Sequence, residues 1–271
     1  MHSELFTIGP INLHVYGLCM ALGFLAAWRM LVYLCKRTGQ DFGNVEMLLT
    51  WVMVSAIIGA RGVYVMQHWT AEFAQNPLAV LRLDQGGLVY YGGFIGALIP
   101  YVAYTLYHRK NFFELADVSA AVLPLGQAFG RVGCFMHGCC FGKCSDAWLA
   151  VSFPFRSPAW HEHLNAGLIS PTAVRSLAVI PTQLIESVAT LALFAVLFGL
   201  YPKHYLRRGL IAGLYLVGYA VLRFFIEFLR GDPRGTVGPF STSQAISLLI
   251  FAGGIGCIAF SFRYAKKRSE N

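Results

Sequence analysis

An all-α integral membrane protein of seven transmembrane helices, with one sizeable periplasmic loop region, is the fold that this sequence predicts. Three observations carry that prediction. Hydrophobic residues make up 56% of the 271 and charged residues 13%, about half of the roughly 25% charge of soluble domains, and mean hydropathy is +0.57. Apolar stretches long enough to cross about 30 Å of hydrocarbon recur along the whole chain. Basic residues gather in alternate connections between those stretches.

In chain order the expected spans are Val15 to Leu34, Val45 to Met66, Gly87 to Leu106, Phe113 to Met136, Leu184 to Tyr201, Gly209 to Leu229 and Gln244 to Phe262. The first is closed by Lys36 and Arg37, the third by Arg109 and Lys110, and the fifth by Lys203, Arg207 and Arg208. The last runs into Arg263, Lys266, Lys267 and Arg268. The alternate loops carry fewer cations per residue: Arg82 in the second, and Lys143, Arg156 and Arg175 spread through a long fourth. Short cytoplasmic loops accumulate Lys and Arg, so seven spans put the N-terminus outside and the C-terminus in the cytoplasm. The net charge of +8 is then a topology signal plus attraction to anionic lipid headgroups, with no call for nucleic acid.

Residues 1–271 read as one polytopic domain, without a 20–50-residue repeat or a low-complexity tract. The opening MHSELFTIGP has an acid at Glu4 and no basic n-region, so it does not read as a cleavable signal peptide. Phe6, Ile8, Ile11 and Leu13 around Pro10 suit a short interfacial segment, or an untethered terminus. The segment 137–181 is the one sizeable extramembrane piece, a head region in which Trp148 to Phe153 suggests a short strand. Loops of this length are often lids or binding surfaces.

Charges inside the apolar segments point to function. An ionisable group at the centre of a bilayer helix costs roughly 2.5–3.5 kcal/mol on insertion scales, so several together need a compensating use. The fourth and sixth spans are interrupted in this way, by Arg131 and by Arg223 and Glu227. The simplest use is an anionic ligand held at membrane depth.

Three blocks carry the chemistry. Gln85-Gly-Gly-Leu-Val-Tyr-Tyr91-Gly92-Gly93-Phe94 opens the third span. Its glycines would let backbone amides approach an anion, or would serve close helix packing beside interfacial tyrosines. Gly126 to Gly142 sets Arg131 among Gly130, Gly133 and Gly138. A broken helix end there would offer amides beside a guanidinium that can bond two phosphate oxygens at once; the alternative is an Arg paired with a carboxylate on a neighbouring helix. In the third block, offsets of four and then three put Tyr219, Arg223, Glu227 and Arg230 on one helical face. A self-neutralising Arg223–Glu227 pair is the bland reading of that face.

These blocks, together with His14-Val-Tyr16-Gly-Leu, Gly59-Ala-Arg61-Gly-Val-Tyr64 and Pro181-Thr-Gln-Leu-Ile-Glu186, resemble the prolipoprotein diacylglyceryl transferase family in order from Ile8 to about Ser243. The resemblance implies a seven-helix enzyme of the bacterial inner membrane, open toward lipid and periplasm. It would move the diacylglyceryl group of phosphatidylglycerol onto the thiol of a prolipoprotein's lipobox cysteine, forming a thioether and releasing glycerol phosphate. It implies no cofactor. Its partners would be phosphatidylglycerol, the lipobox peptide and the surrounding lipid. Arg131 and Arg223 fall on the family's functional arginines, and Tyr16, Gly142, Tyr219 and Glu227 on positions linked to activity. The expected roles are headgroup phosphate contacts from Arg131 and Arg223, orientation of Arg223 by Glu227, and a second anion contact from Arg61.

The chain also departs from the family. Tyr91 stands where the family has a His proposed as the base for the attacking thiol, and a phenol with a pKa near 10 is a poor base at neutrality. Cys134 and His137 replace two asparagines of the signature, and Cys139 replaces its acidic residue. His137 is therefore the candidate for a relocated base.

Cys134, Cys139, Cys140 and Cys144 crowd together. In an oxidising periplasm a disulfide is the first reading, with Cys140 and Cys144 the easier pair to close; free thiols and a Cys/His metal site are the others. Cys19, Cys35 and Cys257 read as packing residues. The cluster also motivates a rival function, a thiol–disulfide oxidoreductase, which would leave Arg131 and Arg223 without a task. A non-catalytic lipid-binding homologue or transporter is the other rival, although no inverted repeat supports transport.

Overall fold

Residues 4–8, 11–74, 76–82, 86–233 and 235–269 are described by a computed structural model. Pro10 and Gln85, each part of a segment singled out above, lie outside the described residues. The backbone of the first segment pairs as an antiparallel hairpin, β1 (Glu4–Ile8) with β2 (Ile11–His14), and leads directly into the helices.

A long helix occupies each expected span: α1 (Val15–Thr38), α2 (Val45–His68), α3 (Tyr90–Tyr107), α4 (Phe112–His137), α6 (Thr182–His204), α7 (Leu210–Ile226) and α8 (Thr242–Ser269). Six of these are long and apolar enough to cross a membrane, α7 being counted with the 3-10 turn Glu227–Leu229 that continues it. The remaining one, α3, has 18 residues. The head region, expected to hold little regular structure, contains α5 (Pro158–Asn165), capped by Ser157, whose hydroxyl accepts from Trp160 N at 3.2 Å. The expected strand over Trp148 to Phe153 is reduced to one bridge, Val151 with Val179. A small hairpin, β3 (Thr236–Val237) with β4 (Phe240–Ser241), precedes α8.

The bundle has two unlike ends. At the end carrying the basic connections, Leu31 and Leu34 of α1, Leu48 of α2, Tyr104 of α3, Leu115 and Val118 of α4, Leu197 and Tyr201 of α6 and Ile211 of α7 form one apolar knot. Polar ties reinforce it. The Tyr104 hydroxyl donates to Phe42 O at 2.6 Å, and Lys110 Nζ donates to Asp41 O at 2.7 Å. Toward the head end α2 and α3 pack mainly on each other, and α4 packs on α1, α6 and α7.

Small residues set these contacts. A Cβ on Gly59 of α2 would collide with the Gly92 carbonyl of α3, and one on Gly96 with the Ser55 carbonyl. Such close backbone approach is how membrane helices gain packing energy when lipid is as apolar as leucine. For Gly92, then, the structure supports the packing alternative of the sequence reading. Gly23 of α1 is equally tight against Phe129 and Gly126 of α4, and Gly213 of α7 against α8.

One buried acid organises the basic end. Asp117 of α4 is 0% exposed and accepts from Gly209 N at 2.7 Å and Ala212 N at 2.8 Å, across to the first turn of α7. A helix start leaves amides unpaired and favours negative charge, and inside a membrane protein water is not at hand to satisfy them. Asp117→Ala should therefore unpair the start of α7 and destabilise the protein by about 1–3 kcal/mol, read as a lowered unfolding temperature of the detergent-purified protein. An unchanged temperature would show that this cap is dispensable.

Candidate active site

Opposite the apolar knot, beneath the head, the bundle holds a polar centre. It begins on α4, which runs unbroken through Arg131 to His137. The expected helix break at Arg131 is not there. The helix stops two turns later at Gly138, with φ 81°, where Gly138 N reaches Cys134 O at 2.9 Å and Phe135 O at 3.2 Å. A left-handed residue of this kind is the usual glycine helix stop. Arg131 therefore meets not exposed amides but a carboxylate on α6: its Nη2 lies 2.9 Å from Glu186 Oε1. This is the neighbouring-helix pairing weighed above, and Glu186 is 1% exposed.

Glu186 belongs to a polar stripe that the sequence reading did not exploit. Thr182, Gln183, Glu186, Ser187 and Thr190 recur at helical spacing along an otherwise apolar α6, and all are buried. Helix periodicity in polar residues within a membrane span is a signal for an internal polar face. Gln183 Nε2 donates to Cys139 O at 2.8 Å, Thr182 Oγ1 to Cys140 O at 2.8 Å, and Ser187 Oγ to Ala128 O at 3.0 Å. The stripe thus holds α4 and the segment that follows it.

Arg223 of α7 comes into the same space. Its Nη2 lies 2.8 Å from Glu227 Oε2 and 3.0 Å from Ser243 Oγ of α8. Its Nη1 is buried and has no hydrogen-bond partner among the described residues. Arg131, Arg230, Glu186 and Glu227 are the charges that act on it. Tyr219, one turn earlier, lies near Arg131 and stacks on Tyr215 with centroids 5.9 Å apart. Arg230 leaves the helical face expected for it, because the 3-10 turn Glu227–Leu229 gives way to extended backbone. It makes a bidentate pair with Asp232, both contacts at 2.7 Å.

The backbone after α4 is pinned from three sides. Gly142 N donates to Ile180 O at 2.9 Å, Lys143 N to Leu229 O at 2.9 Å, and Gly231 N to Phe141 O at 3.1 Å. A Cβ on Gly142 would stand 2.6 Å from Ile180 O and 2.8 Å from Leu229 O. Gly142 is thus the crossing point of the chains leaving α4, entering α6 and leaving α7. Within this segment Cys140 takes φ 64°, a conformation that non-glycine residues adopt only when their surroundings impose it.

All seven cysteines are unbridged, so the expected Cys140–Cys144 disulfide is not made. Instead the Sγ atoms of Cys134, Cys139 and Cys140 converge within 4.8 Å of one another. The Cys139 thiol also reaches back to Cys134 O at 3.8 Å. Cys144 lies apart, 3.6 Å from His163 Nε2. Tyr16, in the first turn of α1, stands beside the three thiols and Arg131, and its ring centroid is 6.4 Å from that of His137. His137 is the exposed last residue of α4.

The other expected residues sit on the α2–α3 pair. Arg61 was expected as an anion contact, but all five of its N–H groups face carbonyls of the α2–α3 connection. Nε meets Val80 O at 2.9 Å, Nη1 meets Gly86 O and Gly87 O at 2.8 and 3.2 Å, and Nη2 meets Ala79 O and Arg82 O at 2.9 and 3.0 Å. Arginine has no further donors, so it acts here as a clamp on that connection. Tyr91 occupies the first turn of α3 and is 62% exposed. Gly93 packs near Ala56 and Ala60.

A cleft of about 310 Å³ opens beside the pinned segment, lined by Phe141, Gly142, Cys144, His163, Gly231 and Pro233 among others. His163 is structural: its Nδ1 accepts from Leu177 N at 3.2 Å, which places the neutral ring's hydrogen on Nε2, toward Cys144.

The arrangement defines a class first, a polytopic helical membrane protein with an arginine-lined polar centre between its spans. The sequence profile described as prolipoprotein diacylglyceryl transferase matches residues 3–260, and the chain belongs to that family. It is 31% identical over 274 residues to a protein named phosphatidylglycerol–prolipoprotein diacylglyceryl transferase 2 of Clostridium perfringens, covering 100% of this chain and 98% of the relative. A relative of the same name without the numeral, from Stenotrophomonas maltophilia, is 31% identical over 95% of this chain and 90% of its own. Another, from Xanthomonas oryzae, is 32% identical over the same shares.

The head offers a pH test. Burial holds the His163 imidazole below its ordinary value of 6.5, so the folded state binds fewer protons than the unfolded state. Its contribution is present above pH 6.5 and is lost as pH falls through the folded value. Hydrogen exchange at the Leu177 amide should accelerate, after correction for intrinsic rates, as pH drops below about 6.5, and His163→Gln should abolish that pH dependence. Exchange that is flat with pH would remove His163 as the cause.

Proposed function

We infer that this protein transfers the diacylglyceryl group of phosphatidylglycerol to the lipobox cysteine thiol of prolipoproteins, as a transferase of lipoprotein maturation. Membership of the family over nearly the whole chain supports the reaction. The observation in the site that carries the reading is the buried, unpartnered Nη1 of Arg223. A buried donor without an acceptor needs an explanation, and a phosphate oxygen supplies one.

In this reaction the thiol sulfur forms a bond to the glycerol carbon, and the bond from that carbon to phosphate oxygen breaks. Negative charge grows on the departing glycerol phosphate. Fixed guanidinium groups in a water-poor site stabilise it as it grows. Arg223 and Arg131 are the phosphate contacts in this reading. Glu227 and Ser243 orient Arg223, and Glu186 orients Arg131. Tyr219 and Tyr16 line the same space, and Gly142 fixes its floor. Tyr91, Gly92 and Gly93 belong to the flank formed by α2 and α3, where the donor lipid would approach from the bilayer.

The lipobox peptide would lie in the cleft beside Gly142, under the 137–181 head region of a single 1–271 domain. The surroundings would be the bacterial inner membrane. Basic connections favour a cytoplasmic side for the apolar knot, with the polar centre then near the periplasm. With α3 as a seventh crossing, the N-terminus is periplasmic and the C-terminus cytoplasmic.

Purified protein given labelled phosphatidylglycerol and a lipobox peptide should yield a thioether-linked diacylglyceryl peptide. Arg223→Ala should lower the turnover rate by about 10²–10³, the range for loss of one preorganised donor to a developing oxyanion. Transfer that survives this substitution unchanged would remove Arg223 from the phosphate role. Lipid binding without product would favour a homologue that has kept the anion site alone.

A further inference from the structure

We propose that Cys134, Cys139 and Cys140 form a three-thiolate zinc site whose open fourth position receives the substrate's lipobox thiol. The inference rests on the transferase reading and addresses what that reading leaves without a group: the means of ionising the thiol.

The histidines and tyrosine that could take the thiol proton stand around the polar centre rather than in it. Tyr91 is on the exposed side of α3's first turn. Both ring nitrogens of His163 are engaged. His137 is exposed at the end of α4, its ring centroid 6.4 Å from that of Tyr16. By contrast, three sulfurs converge at the polar centre itself. Tetrahedral zinc, with bonds to sulfur of about 2.3 Å, sets its sulfur ligands roughly 3.8 Å apart. Sulfur atoms within 4.8 Å of one another need only a small contraction to reach that geometry.

The backbone is built to hold this convergence. Neighbours along a chain usually point apart, yet the thiols of Cys139 and Cys140 meet Cys134 on one side, with Cys140 in the left-handed conformation at φ 64°. Gln183 and Thr182, 1% and 0% exposed, fix the carbonyls of those two residues. Buried partners that hold ligand residues in place are a recurrent property of metal sites. Cys134 is buried while Cys139 and Cys140 are partly exposed, which leaves the open side for a fourth ligand. A disulfide would join two of the three and leave the third without a use, and the adjacent pair would form a strained ring.

Electrostatics favour the same assignment. Zinc with three thiolates carries one net negative charge, and Arg131 and Arg230 lie beside those sulfurs. Catalytic zinc sites characteristically have three protein ligands and an open position. A thiol bound there gives up its proton at neutral pH. The zinc-bound sulfur then attacks the glycerol carbon as the bond to phosphate oxygen breaks, and the oxygen keeps the electron pair. The proton released on coordination ends on the departing glycerol phosphate or in water. Zinc undergoes no change of oxidation state, and the neutral thioether is a weaker ligand that can leave.

The test uses full-length protein purified under reducing conditions. One equivalent of zinc per chain is expected by elemental analysis, retained in Cys144→Ser and lost in both Cys139→Ser and Cys140→Ser. With Co²⁺ in place of zinc, the near-ultraviolet sulfur-to-cobalt band should grow on addition of a lipobox peptide, and not with the same peptide carrying Ser for Cys. Failure to retain zinc or cobalt, or a band indifferent to the peptide thiol, overturns the proposal. Full transfer by chelator-treated, metal-free protein overturns it too, while leaving the transferase reading intact. A peptide-responsive cobalt band without any transfer of diacylglycerol would keep the metal site and sink the reaction.

Discussion

The ion pair between Arg131 and Glu186 is the contact on which the polar half of this protein depends. A guanidinium and a carboxylate placed between membrane helices cannot be left to water, and each would be costly alone. Their 2.9 Å contact joins α4 to α6, and the other charges are arranged around it. Arg223 links α7 to α8 through Glu227 and Ser243, and Arg230 closes on Asp232. Each arginine has one acidic partner, so the cluster is formally neutral without ligand. What distinguishes Arg223 is the remaining donor, Nη1, for which the protein supplies no acceptor among the described residues. A buried guanidinium donor left open beside neutralised ion pairs is an arrangement suited to holding an anion.

The two ends of the bundle divide the work. At the basic end, apolar side chains of six helices interlock, and Asp117 ties the start of α7 to α4. Rigidity there allows the opposite end to hold a polar space. There the backbone after α4 is fixed by hydrogen bonds to Ile180 and Leu229 rather than by apolar packing alone. The α2–α3 pair, joined to itself by glycines and to the bundle through Tyr104 and its neighbours, forms a separate flank. Lipid reaching the polar centre from the side requires such a division between a fixed core and a loosely attached flank.

Much of this was legible in the sequence because membrane helices obey few rules strictly. Long apolar runs located the long helices to within about four residues at each end, except that α8 continues well past Phe262. Arg131, Arg223 and Glu227 stood out because charge inside a span is costly. Less visible were features that depend on partners far apart in the chain. The importance of Glu186 and Asp117 comes from Arg131 and from the α7 amides, partners that the local sequence does not show. The family resemblance suggested an anion contact for Arg61, but its donors are consumed by a loop whose path periodicity does not reveal. The Ser157-Pro158 pair at the start of α5 was a readable capping signal, hidden by the irregular segment around it. The cysteines were read by spacing as a disulfide, whereas the turn at Cys140 and the hold of Thr182 and Gln183 decide where the sulfurs point.

That last point bears on how the site could run with altered residues. Where the family signature has two asparagines and an acid, this chain has Cys134, His137 and Cys139, and the family histidine is Tyr91. A chain that had only lost its base would keep the surrounding scaffold without adding a new cluster to it. Here the loss at Tyr91 is accompanied by three sulfurs brought together at a strained backbone position, held by the buried side chains of Thr182 and Gln183. Transfer to sulfur needs two opposite electrostatic conditions close together: positive charge where phosphate leaves, and electron density where the thiol attacks. Arg223 and Arg131 would supply the first. Thiolates gathered around a dication would supply the second without setting a bare anion beside the arginines, which could otherwise quench it as an ion pair.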